Sequence, residues 1–227
     1  MILYITRHGQ PALDGMPAGA DYELPDGDYP LSCLGREQAE FLGKQLKKEN
    51  FDGMIVSSPY ARTMETAAIV STICGVKVTP EPRFQELLFF PVPLCPGLTL
   101  EEMRKYYGSA IAPDAVLKHP WIIQKGPEDP EIVYNRVTPF MDELLAARPA
   151  GKLLLVGHGA SVSAAMRYLC QKAGFTGDPG YAWNAALGSF EISQESSVKL
   201  ISPLNCDHIP REKVTSNRRT YDEVMSE

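Results

Sequence analysis

The chain lacks the features that mark several large classes of protein. No apolar run approaches the roughly 18–20 residues needed to cross a membrane, and the apolar N-terminal stretch is too short for a signal peptide and carries no basic leader. The five cysteines form no CxxC pair, and their odd number is typical of reduced thiols in a cytoplasmic protein. Acidic residues outnumber basic ones, 28 to 22, which argues against nucleic acid or an anionic membrane as the main partner.

Further absences limit the chemistry. The chain has no C-x5-R motif of the kind that activates a catalytic cysteine, so its thiols are interpreted as buried or incidental. No group of histidines, cysteines and carboxylates shows metal-ligand spacing, and we expect neither a metal nor another cofactor. Only four histidines are present, so the positions they occupy carry information.

Strand-like and helix-like segments alternate along the chain. Apolar runs at 1–6, 52–57 and 153–156 have the pattern of strands buried on both faces. The other predicted elements are helices at 32–49, 61–74, 99–107, 128–148 and 160–173, a short strand at 76–79 and a terminal hairpin at 189–192 and 198–201. This alternation predicts an α/β fold of three layers, α/β/α, with a mostly parallel central sheet.

One domain should account for most of the chain. Residues 1–210 show no internal repeat and no clear boundary, so we expect a single α/β domain. The stretch from about 88 to 127 is rich in proline and large aromatics and is expected to be an irregular, lid-like insertion. Residues 211–227 are polar and are expected to form an exposed C-terminal tail.

Three polar clusters occupy equivalent places in this predicted fold. Arg7 and His8 follow the first buried strand, Arg62 follows the second, and His158 with Gly159 follows the third. In open parallel sheets, ligands bind beyond the carboxyl ends of the strands, so these side chains should meet at one edge. A lone histidine at a strand end is usually structural, but two in matching positions flanked by glycine argue against coincidence.

These residue types suit a phosphoryl group. Arginine guanidinium groups match phosphate oxygens, and an imidazole attacks phosphorus well near neutral pH. The helix predicted after His158 would point its N-terminus at the same edge, which favours an anion. Glycines beside the histidines, Gly159 among them, would let the backbone come close to a ligand. Because phosphoryl transfer depends mostly on positioning and charge stabilisation, the cluster predicts a phosphoryl-transfer site.

The motifs also resemble those of a known family. ITRHGQP resembles the signature of the histidine phosphatase superfamily, and its branch with phosphoglycerate mutases and fructose-2,6-bisphosphatase is the closer match. Five more segments follow in the family's order: LSCLGREQA, VSSPYARTMETA, RFQEL, LLLVGHGASV and NAALGSFE. The resemblance runs from residue 3 to about 208 and implies a phosphoglycerate mutase-like fold.

The resemblance implies a role for each matching residue. His8 would be the nucleophile that becomes phosphohistidine. Arg7, Arg62 and His158 would hold the phosphoryl oxygens. Glu86 would protonate the leaving oxygen and then help to activate water.

Some positions depart from the family pattern or receive no role. Pro11 stands where many members have threonine, two residues after RHG. Asp14 stands where an asparagine often reaches the phosphate, and because a carboxylate there would repel phosphate, that role is not carried over. His119 and His208 are given no functional role.

The sequence favours a phosphatase, with two alternatives left open. Phosphoglycerate mutases carry a W-x-L-N-E-R-H-Y-G-like stretch at the acidic residue, whereas this chain reads RFQELLFFP. The loop at 10–30 holds five acidic residues and no lysine or arginine, so it is a poor neighbour for a substrate with two anionic groups. We therefore expect hydrolysis of a small phosphomonoester; a mutase and a non-catalytic phospho-ligand binding module are the alternatives, and the oligomeric state is left open.

The stretch after Glu86 bears on the leaving group. Its aromatic residues predict either a hydrophobic cluster under a long loop or an apolar lid over the leaving group. These aromatics are Phe89, Phe90, Tyr106, Tyr107 and Trp121. The basic residues between 88 and 127 are Arg104, Lys105, Lys118 and Lys125. Unless those four turn inward, the leaving-group side is apolar, which favours a partly apolar phosphomonoester.

Overall fold

A mostly parallel six-stranded sheet forms the centre of the protein. The computed structural model describes residues 1–13, 24–25, 27–88, 97–122, 126–147, 151–217 and 219–226. The strands of the sheet are β1 (Ile2–Arg7), β2 (Met54–Ser57), β3 (Val78–Pro80), β4 (Lys152–Gly157), β5 (Leu187–Ile192) and β6 (Val198–Asn205). Their order is β3-β2-β4-β1-β5-β6, and β1 to β4 are parallel to one another. At one edge of the sheet, β5 is antiparallel to β1 and β6 is antiparallel to β5.

Helices cover both faces of the sheet. The main helices are α1 (Cys33–Lys48), α2 (Ala61–Cys74), α3 (Leu100–Tyr107), α4 (Pro130–Ala147) and α5 (Gly159–Lys172). Helix α1 packs against α2, and α4 packs against α5. The chain moves in one direction along the sheet from β1 to β3 and reverses to reach β4, so right-handed crossovers place α4 on the face opposite α1 and α2. The predicted three-layer α/β/α fold is confirmed. Within the described ranges, no helix has both the length and the apolarity to span a membrane.

The two central strands create a crevice at one edge of the sheet. Strands β1 and β4 are neighbours and are buried because their residues are almost all apolar. The chain leaves β1 toward the face of α1 and leaves β4 toward α5 on the other face. Such a reversal between neighbouring strands is where open α/β sheets bind ligands. The crevice therefore opens beyond the carboxyl ends of β1 and β4.

Local signals in the sequence explain where the helices begin and end. The hydroxyl of Ser32 accepts a hydrogen bond from the Gly35 N–H at 3.0 Å and caps α1, as predicted. Helix α2 spans the predicted residues and ends at Gly75, whose φ of 76° is the left-handed conformation that glycine adopts without strain. Strands β5 and β6 are longer than predicted because their pairing continues to Leu187 and Asn205.

The described part of the 88–127 insertion packs into the main core. Leu98, Met103 and Ile111 are buried in the same hydrophobic cluster as the central strands. Ile111 also forms an isolated parallel bridge with Val78 of β3. A role for this insertion as a lid stays a prediction.

The C-terminal segment is exposed over most of its described residues, as its polarity predicted, but it is folded and partly buried. It forms a 3-10 turn (Arg211–Lys213), strands β7 (Thr215–Ser216) and β8 (Arg219–Thr220), and helix α6 (Tyr221–Met225). Val214, Thr215 and Ser216 are buried. The expectation of an exposed tail fails at these three residues because polar side chains here are paired with the protein: the Gln38 amide donates to the Thr215 hydroxyl at 3.0 Å.

Candidate active site

Three loops meet at the carboxyl ends of β1, β2 and β4. The His8 N–H donates to the Gly157 carbonyl at 2.9 Å, and the Ser58 N–H donates to the Val156 carbonyl at 3.0 Å. These bonds hold the carboxyl ends of the three strands at the same edge of the sheet. The structure thus brings together the side chains that the sequence places after separate strands.

His8 is a buried imidazole with one nitrogen directed at the site. Its Nδ1 lies 2.6 Å from the Gly9 carbonyl, which only accepts, so Nδ1 carries the proton. Its Nε2 then offers a lone pair, which accepts a hydrogen bond from the Arg62 Nε–H at 3.3 Å. Burial lowers the pKa of His8 well below its usual value, and the positive charges of Arg62 and Arg7 lower it further. The ring is therefore neutral near pH 7, as a nucleophile requires.

His158 lies next to His8 and is fully buried. The two ring centroids are 5.1 Å apart. The His158 Nε2 lies 2.8 Å from the Ser58 hydroxyl, whereas its Nδ1 has no hydrogen-bond partner among the described residues and lies 3.9 Å from a Glu86 carboxylate oxygen. That carboxylate favours the tautomer in which Ser58 donates to Nε2 and Nδ1 carries the proton. Burial, followed by the charge of Arg62, lowers the pKa of His158 well below its usual value.

Arg7 is fixed rigidly by the C-terminal half of the chain. Its Nη1 donates to the Ala182 carbonyl at 2.9 Å and to the Ser216 hydroxyl at 3.3 Å, and its Nη2 donates to the Asn217 side-chain oxygen at 2.5 Å. Its Nε is buried without a hydrogen-bond partner in the described part of the chain. Together with the His158 Nδ1, this donor suits an oxygen-rich anion in the site.

Asp28 stands behind Arg62. One of its carboxylate oxygens accepts the Ala61 N–H at 2.8 Å at the start of α2 and lies 4.0 Å from the Arg62 Nη1. The other oxygen is buried and has no hydrogen-bond partner among the described residues. Burial raises the pKa of Asp28 to about 7, against the opposing effects of Arg62 and the Ala61 N–H. The other four acidic residues of this loop, Asp14, Asp21, Glu23 and Asp26, lie outside the described residues.

Glu86 lies at the rim of the site. One of its carboxylate oxygens accepts the Leu87 N–H at 2.9 Å and the Ala160 N–H at 3.3 Å, in the first turn of α5. Its side chain is 23% exposed, unlike the buried histidines, so it can exchange a proton with water or a leaving group. The structure therefore places Glu86 beside His158, and its role as proton donor stays a prediction.

The glycines of the two histidine motifs serve protein packing. A Cβ on Gly9 would lie 2.3 Å from the Gly35 carbonyl oxygen, and a Cβ on Gly157 would lie 2.4 Å from the Phe84 ring. A Cβ on Gly159 would meet Arg7 only at an ordinary 3.8 Å. Close approach between elements of the fold therefore accounts for Gly9 and Gly157 without a ligand. For Gly159, the approach of a ligand stays a prediction.

An aromatic wall backs the site. The Tyr60 ring packs edge-on against His158, with centroids 5.3 Å apart, and against Trp121, at 4.9 Å. The Arg62 guanidinium lies over the Tyr60 ring at 4.7 Å. Trp121 is only 3% exposed, and its Nε1 donates to the Leu98 carbonyl at 3.0 Å. The hydrophobic-cluster interpretation is confirmed for Trp121, while Phe89 and Phe90 lie outside the described residues.

The two remaining histidines bind loop carbonyls. His119 Nε2 lies 3.2 Å from the Gly97 carbonyl, and His208 Nε2 lies 3.1 Å from the Ala185 carbonyl. Both contacts join separate stretches of chain, which agrees with a structural position for these side chains.

Sequence reasoning missed several side chains that support the site. Ser58 stands inside a quoted motif, and Asn184 opens another; the Asn184 amide donates to the His8 carbonyl at 3.2 Å. Ser216 and Asn217 lie in a segment that was interpreted as a tail. The sequence did offer a signal for Ser58 and Asn184, because polar residues inside a motif that resembles a family motif are candidates for contacts with the side chains of the site.

The charge of the site favours an anion over a cation. His8, Glu86 and His158 each offer a ligand atom, and these atoms lie within 4.8 Å of one another. Two imidazoles and a carboxylate are donors that several divalent transition metals accept. However, Arg7 and Arg62 direct two positive charges at the same atoms, as the lowered pKa values of both histidines reflect.

Comparison with known proteins agrees with this arrangement. The model of the histidine phosphatase superfamily (branch 1) matches residues 3–197. The chain is 28% identical over 172 residues to the uncharacterized phosphatase PhoE of Bacillus subtilis, covering 74% of this chain and 78% of the relative. It is 30% identical over 156 residues to phosphoserine phosphatase 1 of Hydrogenobacter thermophilus, covering 69% and 70%.

A solved structure has the same fold. The protein YhfR from Bacillus stearothermophilus superposes with a TM-score of 0.62 at 22% identity, covering 92% of this chain and 99% of that one. At this identity the likeness establishes the architecture, and the matching motifs carry the chemistry.

Proposed function

Because the chain belongs to branch 1 of the histidine phosphatase superfamily, we propose that it hydrolyses a small phosphomonoester through a phosphohistidine at His8. The observation that carries the proposal is the state of the His8 ring. It is neutral, its Nδ1–H is held by the Gly9 carbonyl, and its Nε2 lone pair accepts a hydrogen bond from Arg62.

In the first half of the reaction, the phosphoryl group moves to His8. The Arg62 Nε–H leaves the His8 Nε2 and binds a phosphoryl oxygen, together with Arg7 and the His158 Nδ1–H. The bond from Nε2 to phosphorus forms, and the bond from phosphorus to the leaving oxygen breaks. Glu86, in its protonated form, gives its proton to that oxygen.

In the second half, water releases the phosphate. Glu86, now a carboxylate, accepts a proton from the attacking water, and the bond between His8 and phosphorus breaks. The positive charge that His8 carries while phosphorylated is stabilised by its Nδ1–H bond to the Gly9 carbonyl at 2.6 Å. Free phosphate then leaves, and Arg62 returns to the His8 lone pair.

The position of the basic residues on the insertion supports a partly apolar monoester as the substrate. Three of the basic residues on the insertion, Arg104, Lys105 and Lys118, are exposed to solvent, and Arg104 donates to the Pro113 carbonyl of its own loop. The two relatives reported above, each of which matches more than two thirds of this chain, are named phosphatases, which supports hydrolysis.

Trapping the covalent intermediate tests the proposal. Rapid quenching during turnover of p-nitrophenyl phosphate should give a phosphoryl adduct on His8 that is labile to acid and stable to base. The His8→Ala variant should lose both the adduct and turnover, whereas His119→Gln, at an exposed loop, should keep both. Near-normal turnover by His8→Ala would contradict the mechanism.

A further inference from the structure

The segment that carries Glu86 is held by a buried ion pair. The segment, residues 85–88, follows a 3-10 turn (Pro82–Phe84) and belongs to neither a helix nor a strand. Arg136, on helix α4, donates from Nη1 to the carbonyls of Arg83 at 2.8 Å and Gln85 at 3.2 Å, and from Nη2 to the carbonyl of Glu86 at 3.4 Å. A single guanidinium thus satisfies three backbone carbonyls around Glu86.

Glu128 completes this arrangement from the other side. Its carboxylate binds Arg136 through two bonds, at 2.8 Å from Nε and 2.9 Å from Nη2. One of its oxygens also accepts the Leu88 N–H at 3.0 Å, and its own N–H donates to the Leu88 carbonyl at 2.7 Å. Backbone bonds from the ion pair therefore reach residues on both sides of Glu86.

Burial shows that this pair is more than a surface contact. The side chains of Arg136 and Glu128 are 3% and 1% exposed. A buried ion pair adds little stability beyond what apolar side chains of the same size give, so stability alone is weak grounds for it. The pair does satisfy backbone groups that have no regular structure to pair with, and such groups are costly when buried alone.

Building on the proposed function, we propose that Arg136 and Glu128 are positioning residues, which fix the backbone on both sides of Glu86 so that its carboxyl reaches the leaving oxygen. Neither side chain touches the substrate. Both act through the main chain of Glu86, whose carboxylate accepts, among the described residues, the N–H groups of Leu87 and Ala160.

The ratio of the rates on two esters with different leaving groups is a readout that a merely structural role would not change. p-Nitrophenolate leaves with little help from a proton, whereas an alkoxide depends strongly on a general acid, whose contribution is typically on the order of 100- to 10,000-fold. Displacement of a catalytic group by about 1 Å can cost on the order of 100-fold. A misplaced Glu86 should therefore lower kcat/KM, which reports the departure of the leaving group, for an alkyl phosphate and leave kcat/KM for p-nitrophenyl phosphate nearly unchanged.

The experiment compares kcat/KM for both esters in the full-length protein, because kcat/KM reports the step in which the leaving group departs and not the later attack of water. Arg136→Lys keeps the charge, but its three N–H donors cannot supply the five hydrogen bonds that Arg136 makes, and Glu128→Gln keeps the shape. We expect each to lower kcat/KM for the alkyl ester by about tenfold or more, with kcat/KM for p-nitrophenyl phosphate changed less than about threefold. In the double variant with Glu86→Gln, Arg136→Lys should add no further loss on the alkyl ester.

Controls separate this proposal from loss of structure and from failure of the proposed function. Arg83→Lys, at an exposed ion pair between the same segment and Glu143 of α4, should leave the ratio of the two ester rates unchanged. An equal loss on both esters in Arg136→Lys and Glu128→Gln, or no loss on either, would overturn the positioning role. If Glu86→Gln slows only the alkyl ester and the Arg136 and Glu128 variants do not, the proposed function stands and the positioning role is contradicted. If Glu86→Gln slows both esters equally or neither, the proton-donor role of Glu86 and the positioning role that depends on it both fail. The phosphoryl adduct on His8 then tests the phosphatase chemistry separately.

Discussion

Replacing Asp28 by asparagine tests whether burying a carboxyl behind Arg62 costs the folded protein stability. In the wild-type protein the Ala61 N–H donates to an Asp28 oxygen at 2.8 Å, and asparagine keeps an oxygen that can accept this bond. Asparagine has no carboxyl proton that could titrate. Because burial raises the pKa of Asp28 from 3.8 to about 7, the folded protein binds a proton there that the unfolded chain has released. The contribution of Asp28 to stability must then fall as the pH rises from about 4 to 7 and level off above 7.

The magnitude follows from the proton linkage. Each pH unit well inside this window lowers the contribution of Asp28 to the unfolding free energy by about 1.4 kcal/mol, and the slope halves near pH 7, so this contribution falls by roughly 2–3 kcal/mol between pH 5 and pH 7. The asparagine variant does not pass through this titration. Any fixed cost of placing an amide beside Arg62 is the same at each pH, so the gain of the variant over wild type should grow by about 3 kcal/mol between pH 5 and pH 8.

Urea unfolding at several pH values measures this difference directly. The free energy of unfolding of Asp28→Asn minus that of wild type should rise with pH, and the other titrating groups cancel in the subtraction. Asp52→Asn, at an exposed carboxylate, should give a difference that stays flat. A flat difference for Asp28→Asn as well would refute the reasoning, because it would mean that the carboxyl is ionised throughout this range.

Two further predictions concern the anion site. Arg62→Ala and His158→Ala should each lose about 3–4 kcal/mol of transition-state stabilisation, measured as kcat/KM for p-nitrophenyl phosphate, and vanadate should inhibit both variants more weakly. A decrease in kcat/KM of less than about tenfold would contradict a shared phosphate clamp. The kcat/KM for a neutral aryl or alkyl monophosphate should exceed that for sugar bisphosphates and phosphoglycerates, because repulsion at a partly desolvated site can cost several kcal/mol; a tenfold preference for the bisphosphorylated compounds would show that both loops were misinterpreted.

The central sheet and most of the site followed from patterns that are local in sequence. Apolar runs that end in Arg7-His8 and in His158 identify buried strands and the polar residues beyond them, and parallel pairing brings these residues together. That inference needs no knowledge of distant contacts, because the carboxyl ends of parallel strands share one edge of the sheet.

The parts that sequence reasoning missed depend on contacts between distant stretches of chain. Asn217 was interpreted as tail, yet its side chain accepts from Arg7, 210 positions away. Asp28 was counted as a loop carboxylate that repels anions, yet it is buried at the start of α2. Polar residues look alike in a sequence whether they face water or a partner, since composition reports polarity and not pairing.

The hydrogen bond from Arg62 to the His8 Nε2 has a consequence for chemical reactivity. At 3.3 Å, the guanidinium occupies the lone pair that any electrophile would have to reach. A molecule with anionic oxygens can draw the guanidinium away, but an uncharged alkylating or acylating agent has nothing to offer it. His8, the proposed nucleophile, is therefore protected in the free protein and becomes accessible only when a molecule with anionic oxygens, such as a phosphomonoester, draws Arg62 away.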